Sequence, residues 1–228
     1  MKKIKSKYIN EYNDFWECFS KNESLFIKEL SWNNIDESLF IEKYNECSDI
    51  IENINENLSF EIKWSDNNWK FQVIITANGI LSVFKYVEEI VENSILLKNW
   101  EVIKFRQPQD WIWNKFNYEW KNYLVDDFNF SLDYLSDKED NRFIWLRIFI
   151  KDFNKYSKED KEDFKTVSLT IIDHILWEYT FAEYIQWPID FMELPKNDNS
   201  IHKLNNIYAL KWLMEDFLEK KEYLNKLK

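Results

Sequence analysis

A chain of 228 residues is long enough to bury a sizeable core, and 12 Trp, 12 Tyr and 18 Phe exclude a disordered composition. The formal net charge is -11 and Arg106, Arg142 and Arg147 are the only arginines. That balance weighs against general nucleic-acid binding, which needs a basic patch against phosphate, and favours solubility or a basic partner. A genome bias toward Lys, Asn and Ile accounts equally well for much of the composition.

In chain order, Tyr8, Tyr12, Phe15, Trp16 and Phe19 recur at helical spacing and predict a helix over 8–20. The capping-box pattern Ser20-Lys21-Asn22-Glu23 starts a second helix through Leu30. Asp36 caps a third, whose stripe runs through Leu39, Phe40, Tyr44, Cys47, Ile50, Ile51, Ile54 and Leu58. The period then changes to two. Phe60, Ile62 and Trp64 alternate with Glu61 and Lys63, residues 65–68 form a turn, and 69–77 read as a central strand. Asn78-Gly79 leads into a helix from Leu81 to Glu92, and Trp100 to Phe105 is the next strand.

The order recurs downstream. Phe128, Phe130, Leu132 and Tyr134 alternate with polar residues, 136–141 is a solvated turn, and 142–150 is a long strand. Ser157-Lys158-Glu159-Asp160 caps a helix to about Tyr179. Residues 185–192 read as a strand that Pro188 weakens or makes an edge, and a last helix runs from Ile201 to about Tyr223. The fold class is therefore α+β: N-terminal helices, strand-strand-helix-strand twice, a mostly antiparallel sheet with helices mainly on one face, and a C-terminal helix. The expected organisation is a single domain, 1–228, with a helical part at 1–58, units at 59–107 and 124–193, an aromatic insertion at 108–123 and the last helix at 200–226. Two subdomains sharing a sheet is the alternative.

Gly79 is the only glycine. A P-loop, a dinucleotide fingerprint and a nucleophile elbow each need small residues that this chain lacks. Gly79 itself is expected at a turn with positive φ rather than at a phosphate. The histidines, His174 and His202, lie in different helices, and no cysteine pair has zinc spacing. His174 and Glu178 are four apart, so on one helix they share a face, and with Glu183 they are weak candidates for a metal or catalytic site. An ion pair is the commoner outcome of that spacing. Cys18 with His174 as a nucleophilic pair has no support in spacing. Cys18 and Cys47 are expected as small buried apolar residues rather than a disulfide. The basic start is followed by no apolar run of signal-peptide length, and no stretch approaches a membrane span of roughly 20 apolar residues. A reducing, cytoplasmic setting is the expectation. No cofactor, nucleic acid or membrane partner is expected.

The segment PQDWIWNKFNYEWKNY, 108–123, carries Trp111, Trp113, Phe116, Tyr118, Trp120 and Tyr123. As a strand it cannot hide them on one face, because Trp111 and Trp113 oppose the parity shared by Ile112, Phe116, Tyr118 and Trp120. Tyr and Trp dominate binding hot spots. Acidic residues follow at Asp126, Asp127, Asp133, Asp137, Glu139 and Asp140. An aromatic segment beside an acidic rim suits a basic protein; a hairpin packed on its own domain is the competing reading. Strand 142–150 places Phe143, Trp145, Arg147 and Phe149 on a second face that must be covered or await a partner.

The run IITANG at 74–79, VEEIV at 87–91 and Trp100 resemble a set of uncharacterised bacterial proteins with an FWxWF-like start, an ITADG turn and an LGE-like element. The start here is FWECF at 15–19, Asn78 stands in place of Asp, and Trp177 stands in place of Gly within Leu176-Trp177-Glu178. The resemblance implies the fold and element order and no reaction. The function expected from these readings is a non-enzymatic protein-binding protein, in its sharpest form an immunity or inhibitor protein against a toxin or nuclease. An enzyme or metal protein centred on His174 and Glu178, or a small-molecule-binding domain, are the alternatives.

Overall fold

The computed structural model describes residues 7–31, 36–64, 70–108, 115–118, 121–135, 143–196 and 204–226. The fold is α+β, as the pattern of periods predicts. The chain divides into two compact units, 1–106 and 107–228, where the sequence reads one domain. Among the described residues the hydrogen-bonded sheets each lie within one unit.

In the first unit, helices α1 (Ile9–Leu30) and α2 (Glu37–Glu52) precede strands β1 (Ser59–Trp64) and β2 (Phe71–Thr76), helix α3 (Phe84–Glu92) and strand β3 (Trp100–Lys104). The sheet order is β1-β2-β3, antiparallel then parallel. The central position of β2 follows from its nearly continuous apolar run, in which all but Gln72 are buried. Aromatic residues of α1 fill the space over the sheet: Phe15 and Phe19 meet Phe60 at 5.4 and 6.0 Å, and Phe19 meets Trp100 at 4.9 Å. Buried Trp16 donates its indole N–H to the Ile90 carbonyl of α3 at 2.8 Å. The side chain of Asp36 accepts the Leu39 N–H and starts α2 as expected.

The helix count expected for this unit is overturned. Two helices open the chain rather than three, because Ser20 to Glu23 lie inside α1. The buried stripe Tyr12, Phe15, Trp16, Phe19 and Phe26 continues unbroken across them, and packing along that stripe outweighs the local capping signal.

The second unit opens with the hairpin β4 (Lys115–Tyr118) and β5 (Lys121–Leu124). Strands β6 (Phe128–Leu135) and β7 (Phe143–Ile150), helices α4 (Lys158–Ile175) and α5 (Glu178–Tyr184), strand β8 (Ile185–Glu193), the short β9 (Asn205–Asn206) and helix α6 (Leu210–Lys226) follow. The sheet order is β8-β7-β6-β9. Here too an antiparallel pair is followed by a helical crossover to a parallel strand, so the two units repeat one pairing pattern. Ile144, Leu146, Ile148 and Ile150 form one core with Phe164, Val167, Ile171, Ile172 and Ile175 of α4. Ser157 caps α4 by accepting the Asp160 N–H.

β8 is an edge strand, and its register against β7 shifts between Trp145 and Arg147, opposite Gln186 to Asp190, where Pro188 removes a ladder donor. α4 ends at Ile175, not near Tyr179, because Leu176 and Trp177 are both extended. Leu176 is buried in the core there. The last helix begins at Leu210 rather than Ile201, since Asn205–Asn206 pairs with β6 and Ile207–Ala209 is a 3-10 turn.

Candidate functional site

The surface that best matches the expected acidic, aromatic site lies in the second unit, where the β4–β5 hairpin meets β6 and α4. Along β5, Asn122 and Leu124 are exposed on one face, and on the other Tyr123 is buried while Lys121 stays exposed. Tyr123 meets Phe164 of α4 edge to face at 4.9 Å, and Tyr118 packs partly buried on the same core. The hairpin is thus seated on its own unit through these two rings. Trp111, Trp113 and Trp120 lie outside the described residues, as does the side chain of Phe116, which pairs with Tyr123 through the backbone.

Lys121 anchors the hairpin electrostatically. Its ammonium lies 2.7 Å from both Asp160 and Asp163, and the Tyr123 hydroxyl donates to Asp163 at 3.4 Å. The two carboxylates raise the Lys121 pKa, and Lys121 with the Ser157 hydroxyl holds Asp160 below the usual carboxylate range. Lys121 therefore adds no free positive charge to this edge.

The 3-10 turn Val125–Asp127 joins β5 to β6, with Val125 buried. Asp126 is exposed and Asp127 half-buried. Neither carboxylate is paired with a described cation. Tyrosines flank both. Tyr208 follows β9, which pairs with the start of β6; burial first, and then the charge of Asp126, raises its pKa. Tyr156 is 37% exposed, its ring 4.6 Å from Phe164; burial first, and then the charges of Asp127, Asp152 and Asp160, raises its pKa. Leu124, which directly precedes the turn, is 51% exposed, and both phenols feel the charge of the turn's carboxylates.

Asp126 and Asp127 are therefore where the sequence places them, on a turn beside the hairpin. Tyr156 and Tyr208 join them only through the fold, and no spacing in the chain signals that meeting. Of the remaining acids expected at the rim, Asp137, Glu139 and Asp140 lie outside the described residues, as does the side chain of Asp133.

The His174–Glu178 reading is corrected in its geometry. The two residues do not share a helix, because the chain turns extended at Leu176 and Trp177 between α4 and α5. His174 Nδ1 lies 2.7 Å from the Thr170 carbonyl, which can only accept, so Nδ1 carries a proton. Glu178 is fully buried in the first turn of α5. No group of three or more His, Cys, Asp or Glu capable of holding a metal occurs among the described residues.

The reading of the cysteines is overturned. Cys18 of α1 and Cys47 of α2 form a disulfide, with Cα atoms 5.7 Å apart. Cys47 is buried and Cys18 partly buried where the two helices meet, a meeting that a separation of 29 residues does not reveal. Gly79 behaves as expected, at φ 75° beside Asn78 at φ 51°. The Asn78 side chain accepts from Arg106 at 2.8 Å and donates to the Asn57 carbonyl and the Ser59 hydroxyl at 3.1 and 3.2 Å. Its amide is thereby spent on holding the ends of β1, β2 and β3 together. No helix among the described residues is long and apolar enough to cross a membrane. No protein-family model, curated protein or solved structure matches the chain.

Proposed function

We propose that this chain is a non-enzymatic binding protein whose second unit presents an acidic, tyrosine-bearing edge to a basic protein. An immunity or inhibitor role against a toxin or nuclease is the form that suits it best. The observation that supports the reading most is the unpaired Asp126–Asp127 turn flanked by Tyr156 and Tyr208. Unpaired carboxylates speed encounter with a cationic partner, and partly buried tyrosines offer rigid contact area at low entropic cost. The net charge of -11 adds a long-range field of the same sign. The kinship suggested by the IITANG and FWECF runs is proposed on the same footing and adds no reaction.

A cytosolic location is part of the proposal and meets a constraint in the Cys18–Cys47 disulfide, since such bonds rarely persist against cytosolic reductants. Non-reducing mass analysis of protein taken directly from host cells decides between a reduced cytosolic chain and an oxidised one. The functional reading is tested by affinity capture from the native host with the wild-type chain, with Asp126→Lys/Asp127→Lys, and with Trp111→Ala/Trp113→Ala. A basic protein that the wild type retains at low salt, and that the charge-reversed variant loses at least about tenfold, is the expected result. Equal retention by all three chains removes the proposal.

A further inference from the structure

The Cys18–Cys47 disulfide is asymmetric in its surroundings. Cys47 is fully buried in α2, whereas Cys18 is only partly buried and lines an open cleft of about 260 Å³ between α1 and α2. The cleft walls carry Asp14, Glu17 and Glu46 against a single cation, Lys21. Lys21 is itself bound to Glu17 at 2.7 Å and Glu46 is bound to Lys43 at 2.9 Å, which leaves Asp14 as the uncompensated charge of the cleft. The Asn22 side-chain nitrogen donates to the Cys18 carbonyl at 2.9 Å and lies 3.8 Å from Cys18 Sγ and 4.0 Å from Cys47 Sγ. One of its two N–H groups thus faces the sulfurs while the other is fixed on the backbone.

We propose that Cys18 is a thiol-exchange site, the sulfur at which a neutral or cationic small thiol opens the disulfide. The incoming thiolate forms an S–S bond with Cys18 Sγ. The Cys18–Cys47 bond breaks, and its electron pair stays on Cys47 Sγ, where the Asn22 amide donates to the developing thiolate before solvent supplies a proton. A second thiolate then attacks the outer sulfur of the mixed disulfide and frees Cys18. Two electrons pass to the protein, which gains two thiols, and two small thiols leave as one disulfide. Attack on Cys47 is blocked because α2 and the core enclose it. The uncompensated Asp14 raises the local concentration of thiols that carry an ammonium group and lowers that of anionic ones.

The test uses the oxidised full-length chain with cysteamine, which is cationic, and 3-mercaptopropionate, which is anionic, at matched thiolate concentration. The reaction is quenched with acid and the added group is mapped by peptide mass spectrometry. The expected adduct is on the peptide carrying Cys18. Cysteamine is expected to react on the order of fivefold faster at low ionic strength, with the ratio approaching one in molar salt. Asp14→Asn is expected to narrow the ratio without changing the site. Adducts on Cys47, equal rates for the two thiols at low salt, or no exchange without denaturant each overturn the proposal. So does a chain that carries two free thiols after incubation with oxidised glutathione. The mapping is done on the unsubstituted chain, so it does not depend on any variant folding.

Discussion

Backbone conformation at single residues decides where the first unit can be altered. Gly79 at φ 75° lies in the left-handed region, where a β-branched side chain meets its own backbone. Gly79→Val is expected to cost about 2 kcal/mol in urea unfolding, and Gly79→Asn markedly less, because Asn tolerates this region. An equal cost for both would move the cause from backbone to packing. Tyr44 gives a pH signature in the same unit. Its ring stacks on Phe60 at 4.4 Å and its hydroxyl donates to the Phe60 carbonyl. Burial, helped by the charges of Glu61 and Glu52, lifts the phenol from 10.0 to about 12. An unfolded Tyr44 ionises first, so its contribution is complete below pH 10 and is lost as pH rises toward 12. Tyr44→Phe is expected to flatten the decline of stability over that window, measured by urea unfolding from pH 9 to 12, while lowering stability at neutral pH through the lost hydrogen bond.

Between elements, the tie that matters most joins the β4–β5 hairpin to α4. Asp163 is buried and receives both the Lys121 ammonium and the Tyr123 hydroxyl. Asp163→Ala strands that hydroxyl beside Phe164 and is expected to cost about 1–3 kcal/mol, whereas Asp160→Ala, at the solvated end, mainly weakens the cap of α4. Thermal unfolding of the two variants checks the ranking. The same tie shows what the chain makes legible. Period-two alternation from Phe60 and from Phe128, and the Ser157 cap, mark strands and a helix start locally, so both strand-strand-helix-strand runs can be read off before any contact is known. The break at Leu176 cannot, because an apolar residue at helical spacing fits a continuing helix as well as an extended plug into the core. Lys121 meeting Asp163, Asn205–Asn206 pairing with β6 and Cys18 meeting Cys47 all join segments far apart in sequence, and a linear pattern holds no trace of them. The acidic turn was legible as charge; its tyrosine flanks were not.

At the scale of the whole molecule, the two units repeat one strand pairing but are secured differently. Unit 1–106 holds the disulfide, whereas unit 107–228 relies on the cluster built from Phe128, Phe130, the Ile144–Ile150 face and α4. Reduction should therefore act on one unit and spare the other. A cross-link spanning 29 residues removes chain entropy from the unfolded state worth about 3–4 kcal/mol in the loop-closure account. The contacts of Phe19, Phe26 and Tyr44 with Phe60 do not depend on the bond, so the reduced helices stay docked and only open more often. Hydrogen exchange read by mass spectrometry, with and without a neutral reductant, is expected to show faster exchange in the peptides of α1, α2 and β1, by roughly two to three powers of ten in the most protected amides. Peptides of β7 and α4 are expected to keep their protection. Loss of protection in both units together would mean that they unfold as one cooperative body, and an unchanged first unit would mean that aromatic packing alone sets its stability.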